Sequence, residues 1–270
     1  MKRKKDVIKK AVLASVLAMS LNNVVWAAEG VDQPFSTVSE LEALGGIASI
    51  DSSSISHVTK GIYASGNDFI YNSGAIKLDI NGFANSTNSG YDSIGIFGYN
   101  STIDLKQIEM NFIDTSGTVH NLDVYGIKTY ASGVVKIGDD SKITVSGNVS
   151  GLDSNNQPNV MKGMYAGDNA TMDSGIIEVG DNLELNAGTG WTYGIDSYDG
   201  ATISVGDGLR LFVTGGKDTR GVEVGFNDAK VTLGENASII ANSRDGVALG
   251  VFVFNKGKFE AAKDLVINVS

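Results

Sequence analysis

Apolar and polar residues alternate with period two along short runs of this chain, and the runs return in a fixed order. The first kind opens on glycine: Gly61-Ile62-Tyr63-Ala64, Gly95-Ile96-Phe97-Gly98, Gly126-Ile127-Lys128-Thr129, Gly163-Met164-Tyr165-Ala166, Gly194-Ile195-Asp196-Ser197, Gly221-Val222-Glu223-Val224 and Gly250-Val251-Phe252-Val253. A second kind follows, as in Ala75-Ile76-Lys77-Leu78, Thr102-Ile103-Asp104-Leu105, Val134-Val135-Lys136-Ile137, Ile176-Ile177-Glu178-Val179 and Thr202-Ile203-Ser204-Val205. Ile143-Thr144-Val145, Leu183-Glu184-Leu185, Leu209-Arg210-Leu211 and Leu265-Val266-Ile267 are a third. Such runs are too short for helices, and their alternation marks strands with one buried face. Copies lie roughly 27 to 37 residues apart, the period of a solenoid. The expected fold is all-β, a parallel β-helix of about seven three-stranded coils spanning residues 61–270.

Stacked coils place equivalent residues in columns. Ile62, Ile96, Ile127, Met164, Ile195, Val222 and Val251 form a bulky inward column. Ala64, Gly98, Thr129, Ala166, Ser197, Val224 and Val253 form a mostly small one two residues later. The period also predicts a second wall built from Ile76, Ile103, Val135, Ile177, Ile203, Val231 and Phe259. Corners recur at Gly138-Asp139-Asp140, Gly180-Asp181-Asn182, Gly206-Asp207-Gly208 and Gly234-Glu235-Asn236, where glycine reaches positive φ and Asp or Asn bonds backbone nearby. A single coil buries too little to fold alone, so neighbours above and below supply the rest, and each end needs a cover.

Residues 28–60 read as an amino-terminal cap or a degenerate first coil. Thr37-Val38-Ser39-Glu40 has capping-box spacing and Gly45-Gly46 stops the short helix it starts. At the other end Leu265 to Ser270 stop inside a third strand, so the array reads as truncated.

Residues 1–27 carry a basic start, an apolar run from Ala11 to Leu21 and small residues in Val25-Trp26-Ala27, the marks of a cleaved signal peptide. The leader holds six of the 21 Lys+Arg and one of the 31 Asp+Glu, which leaves 15 against 30 and a strongly acidic mature chain. Nucleic acid and anionic lipid are disfavoured as partners by that charge. There is no cysteine, so disulfides and thiolate chemistry are excluded.

These features together resemble the passenger domains of Gram-negative autotransporters, pertactin-like and adhesin-like, in the strand style G-[IVM]-x-[AST] and [IV]-x-[VIL]-G-[DE] over residues 61–270. The resemblance implies a right-handed parallel β-helix, export, and display at the outer membrane or release outside the cell. It also implies a carboxyl-terminal membrane barrel, which this sequence does not contain. The implied role is a structural rod for adhesion or self-association. Its partner would be a host or neighbouring-cell surface protein or glycan, or a second copy, with contact to the membrane only through the missing barrel.

Three outward features bear on chemistry. Lys77, Asp104, Lys136 and Glu178 alternate in sign on the outward side of the second strand, where an ion-pair ladder is expected to be a solvated face. Tyr63, Phe97, Tyr165 and Phe252 share the position after the bulky inward residue, with Tyr125, Trp191, Tyr193 and Tyr198 nearby. Aromatic rows stack on sugar rings or form protein interfaces, so Tyr63, Phe97, Tyr165, Phe252, Trp191 and Tyr193 are the candidate binding surface. Asp196 and Glu223 interrupt that column, which makes the expected patch discontinuous. A polysaccharide lyase or hydrolase on this fold needs converging carboxylates, and Asp196, Asp199 and Glu223 are placed to converge across adjacent coils. Carboxylates are abundant enough for chance proximity, so no enzymatic activity, catalytic residue, cofactor or metal site is assigned. A non-functional remnant of a longer passenger is the further alternative. His57 and His120 lie in no nucleophile motif and read as loop or coil-edge residues. The most variable segments, Asn81 to Asp92, Thr115 to Asp123 and Asn148 to Val160, read as recognition loops on a rigid scaffold.

Overall fold

The computed structural model describes residues 34–52, 55, 57–83, 92–138, 141–152, 156–168, 171–174 and 191–270. The signal-peptide reading, the runs at 176–179 and 183–185, and most of the 81–92 loop fall outside those residues.

Glycine-led runs form the first wall, a seven-stranded parallel sheet of Thr59–Ser65, Ser93–Tyr99, Val124–Tyr130, Val160–Ala166, Trp191–Tyr198, Asp218–Gly225 and Val247–Phe254. Each strand pairs with the equivalent strand one coil away, and the stack makes a β-solenoid of about six turns. The register follows the columns read from sequence: Ile62 faces Ile96, then Ile127, Met164, Ile195, Val222 and Val251 in succession. The first six are sealed from solvent. Apolar side chains stacked at the ~4.8 Å strand spacing fill a narrow interior against the side chains of the other walls.

The second wall corrects one alignment. Ile76 does not pair with Ile103; Phe69 does, and the row continues through Val135, Met172, Ile203, Val231 and Phe259. Ile76 pairs instead with Ile108, in the third wall. The cause is that Phe69–Asn81 and Thr102–Ile113 are continuous strands that run through the second wall and on into the third. Two alternating runs then share one strand, and period two cannot tell which run is opposite which. Met172 likewise holds the place expected of Ile177. Lys77 therefore leaves the expected charge ladder and lies 4.0 Å from Glu109 and 3.9 Å from Asp79. Ile70 stands opposite Asp104 where Lys77 was expected.

Corners turn by left-handed residues. After the first wall, Asn100, Ser132, Asp168, Asp199, Asn227 and Asn255 all take φ between 44° and 61°. Asn and Asp tolerate this region better than other side chains, which is why they recur at this place in the period. At the next corner Gly208 and Asn236 do the same, with φ of 77° and 58°. Asp207 accepts a hydrogen bond from the Glu235 N–H at 2.7 Å. Its partner is the neighbouring coil and not its own backbone, so these side chains tie coil to coil.

At the amino end a helix, Val38–Glu42, covers the first coil, with Leu41 fully buried. Glu40 accepts N–H bonds from Ser36 at 2.9 Å and Thr37 at 3.0 Å, the reciprocal half of the capping box. The strand Ile47–Asp51 follows and pairs with Ile47 opposite Lys77, so a degenerate coil and a cap helix are both present. Replacing Glu40 with alanine is expected to lower unfolding stability by about 0.5–1 kcal/mol in urea titration. An unchanged midpoint would mean that Leu41 packing alone holds the helix. In the last coil the inner positions are not covered: Val253 and Ile267 are 43% and 41% exposed, while Val224 and Ile239 one coil earlier are sealed.

Candidate functional site

The outer side of the first wall carries the chemistry. Every strand there contains x-Gly-[Ile/Met/Val]-x, and the glycine bends the chain inward. A Cβ on Gly126 would stand 2.6 Å from the Gly163 carbonyl oxygen and 2.7 Å from Val145 Cγ2. The bend turns the residue before glycine and the residue three places later to the same outer side. Two outward columns result, side by side. One runs Ile94, Tyr125, Lys162, Tyr193, Arg220, Leu249; the other runs Tyr63, Phe97, Lys128, Tyr165, Asp196, Glu223, Phe252.

The columns complement each other rung by rung. Lys128 Nζ lies 4.1 Å from the centre of the Tyr125 ring, and Lys162 Nζ lies 4.5 Å from Tyr165 and 5.4 Å from Tyr193. The Arg220 guanidinium sits 4.9 Å from Tyr193 and 4.4 Å from Phe252. Each cation also has a carboxylate: Lys128 with Asp92 at 2.5 Å, Lys162 with Asp196 at 2.6 Å, and Arg220 with Glu223 at 2.5 Å and Asp218 at 2.6 Å. These cations are shared between a negative ring face and an acid, an arrangement that strengthens as water is excluded.

Aromatic clusters flank this ionic centre. Tyr63 stacks on Phe97 at 6.0 Å, and Phe97 meets Tyr99 at 6.4 Å. At the other end Tyr198, Phe226, Phe254 and Phe252 form a chain of contacts of 4.8, 5.1 and 5.2 Å. Asp196 and Glu223 stand in the aromatic column, and Tyr193 beside them lies beneath Lys162 and Arg220, so at this point ion-paired rungs and not exposed rings lie between the two aromatic clusters.

Of the expected binding residues, Tyr63, Phe97, Tyr165, Trp191 and Phe252 are half-buried and keep part of their rings at the surface. Tyr193 is not presented: it is 4% exposed, beneath Lys162 and Arg220. Burial pushes the phenols of Tyr125, Tyr165 and Tyr193 up, so they stay neutral and act as ring faces and hydrogen-bond donors. Tyr125 donates to Asp123 at 3.2 Å. Sequence reading missed Lys128, Lys162 and Arg220. The signal was available in the pair of positions flanking Gly-Ile, but only once the glycine bend is known do those positions share a side.

Asp196 and Glu223 do meet, opposite each other in adjacent strands, as the enzymatic alternative requires. They are 2% and 7% exposed, and each gives an oxygen to a cation. Burial first, and then the charge of Asp196, push the Glu223 carboxyl up to about 7. Burial also lowers the Lys60 ammonium to about 8; its Nζ donates to the Ile55 carbonyl at 2.6 Å.

The histidines take different places. His57 packs edge-on against Tyr63 at 4.7 Å. His120 is buried in a short strand, with Nε2 2.9 Å from Asp114 Oδ2, beside a cleft of about 420 Å³ lined by Asp51, Asn81, Phe83, Asp114, Ser116 and His120. Ser116 donates to the same Asp114 oxygen at 2.9 Å. Serine and histidine thus converge on the carboxylate and not on each other, which braces the corner and is not the order of a nucleophilic triad. Among the described residues no three His, Asp or Glu are grouped to hold a metal ion.

Compared with protein-family profiles, curated proteins and solved structures, the chain has no match.

Proposed function

We propose that this chain is the rod of an exported, passenger-like surface protein, and that the outer side of its first wall adheres to carbohydrate. The observation that carries this reading is a face of aromatic clusters and ion-paired rungs, set in register along seven strands of one sheet. A flat sugar face stacks on half-exposed rings, and hydroxyls bond to carboxylates and ammonium groups already fixed by their neighbours. Each cation of the face has its own acid, so the face offers little net charge and favours neutral over strongly anionic glycans. A β-solenoid suits display, since its length grows with coil number while its cross-section stays fixed. The signal-peptide-like leader and the absence of cysteine support export.

A panel of immobilised neutral and acidic oligosaccharides, probed with the chain from residue 28 onward, tests this reading. Binding to a neutral glycan is expected, with at least a tenfold loss in the Tyr63→Ala/Phe97→Ala double variant, because a stacking platform is worth about 1–3 kcal/mol per ring. No glycan binding, together with a concentration-dependent dimer in sedimentation, would move the face to self-association. If neither glycan binding nor dimerisation is seen, the reading is wrong.

A further inference from the structure

We propose that Asp196 and Glu223 hold one proton between them in the folded protein, and that this proton fastens the strand Trp191–Tyr198 to the strand Asp218–Gly225, making the rod tighter in mild acid than in alkali. The inference does not depend on what the face binds.

The argument starts from hydrogen-bond geometry. Asp196 Oδ2 accepts from Lys162 Nζ at 2.6 Å, and Glu223 Oε2 accepts from Arg220 Nη1 at 2.5 Å. Asp196 Oδ1 is sealed from solvent and has no partner among the described residues. A buried carboxylate oxygen left unbonded is costly, and like charges directly opposite in neighbouring strands are destabilising. Glu223 is the residue opposite Asp196, and a carboxylic proton on it removes both costs at once. Charge gives the same answer. In this cluster two cations, Lys162 and Arg220, face three carboxyls, Asp196, Glu223 and Asp218, all with side chains at most 17% exposed. One bound proton makes the buried group neutral.

Every neighbouring element agrees. From the strand Val160–Ala166 come Lys162 and Tyr165, and from Trp191–Tyr198 come Asp196, Tyr193 and Tyr198, with Asp199 at its end. Asp218 and Arg220 share the strand of Glu223, and Val247–Phe254 contributes Phe252 against Arg220. The phenols stay neutral, so none of them adds a further negative charge. Side-chain bonds to Asp218 are the largest influence opposing burial at Arg220, whose guanidinium stays charged. The direction of the Glu223 shift fits, and the proton belongs to the pair.

The sign follows from linkage. A carboxyl raised on folding binds its proton more tightly in the native state, so its stabilisation is complete below the ordinary glutamate range and is lost as pH rises through about 7. The test uses the intact chain with ¹³C-labelled Asp and Glu carboxyls, followed by NMR from pH 4 to 9. One coupled carboxyl signal is expected to titrate near neutrality and to vanish in Glu223→Gln, whose amide donates to Asp196 permanently. In urea unfolding, the wild-type unfolding constant is expected to rise close to ~10-fold per pH unit between pH ~5 and ~7 relative to Glu223→Gln. If all carboxyls of the unaltered chain titrate below pH 5.5, or if the two pH profiles run parallel, the proposal is wrong. Should Glu223→Gln fail to fold, the titration of the unaltered chain decides alone.

Discussion

Replacing Gly126 with valine is expected to lower unfolding stability by more than ~3 kcal/mol, enough to leave a large unfolded population at 37 °C. The position has no room on either side. Its missing Cβ would meet the Gly163 carbonyl oxygen at 2.6 Å, Val145 Cγ2 at 2.7 Å and Ile143 Cγ2 at 3.4 Å. Gly163 is backbone of the next coil, and that coil is fixed by the coil beyond it, so the obstacle cannot rotate away. Gly194 and Gly221 repeat the close approach, with neighbouring carbonyls at 2.6 and 2.5 Å. Gly74→Ala is the control, because nothing lies within 4 Å of its added Cβ. Urea denaturation of the two variants checks the contrast. A Gly126→Val midpoint close to that of wild type would show that the coils can spread at this column.

Lys162→Met is expected to cost about 3–5 kcal/mol near pH 8, more than truncating an ordinary surface lysine. The change removes the only hydrogen-bond partner of Asp196 among the described residues, at a residue 2% exposed, and with it the cation above Tyr165 and Tyr193. The carboxylate left behind is the expensive product. A second substitution, Asp196→Asn, removes the stranded charge and is expected to restore much of the stability. Thermal unfolding of the two single variants and the double near pH 8 measures the coupling. A loss below ~1 kcal/mol would make the pair a solvent-screened one.

How much of this was legible depended on whether neighbours along the chain were also neighbours in space. The column from Ile62 to Val251 was readable because one short apolar run per period led with glycine, leaving a single way to align the copies. Ile76 was misplaced because Phe69–Asn81 carries two alternating runs on one strand, and only backbone pairing distinguishes them. Tyr63, Phe97 and Phe252 could be placed on the outer side by alternation. Lys162 and Arg220 could not, since alternation assigns the residue two before an inward position to the inside. The glycine bend reverses that assignment. Burial of Tyr193 was equally hidden, as it depends on side chains from the coils above and below.

Hydrogen bonds between coils lie along the axis of the solenoid, while the chain itself winds around it. A pull applied at the two ends therefore opens these bonds in sequence and does not shear them together. Each coil released adds roughly 30 residues of extended chain, about 100 Å, against the ~4.8 Å of rod it vacates. The rod is thus stiff until a rung yields and then very compliant over a long distance. Rungs fastened by Lys162 with Asp196, or by Asp207 with Glu235, set the order in which coils let go. For a tether under flow, that behaviour converts a single overload into a series of small ones.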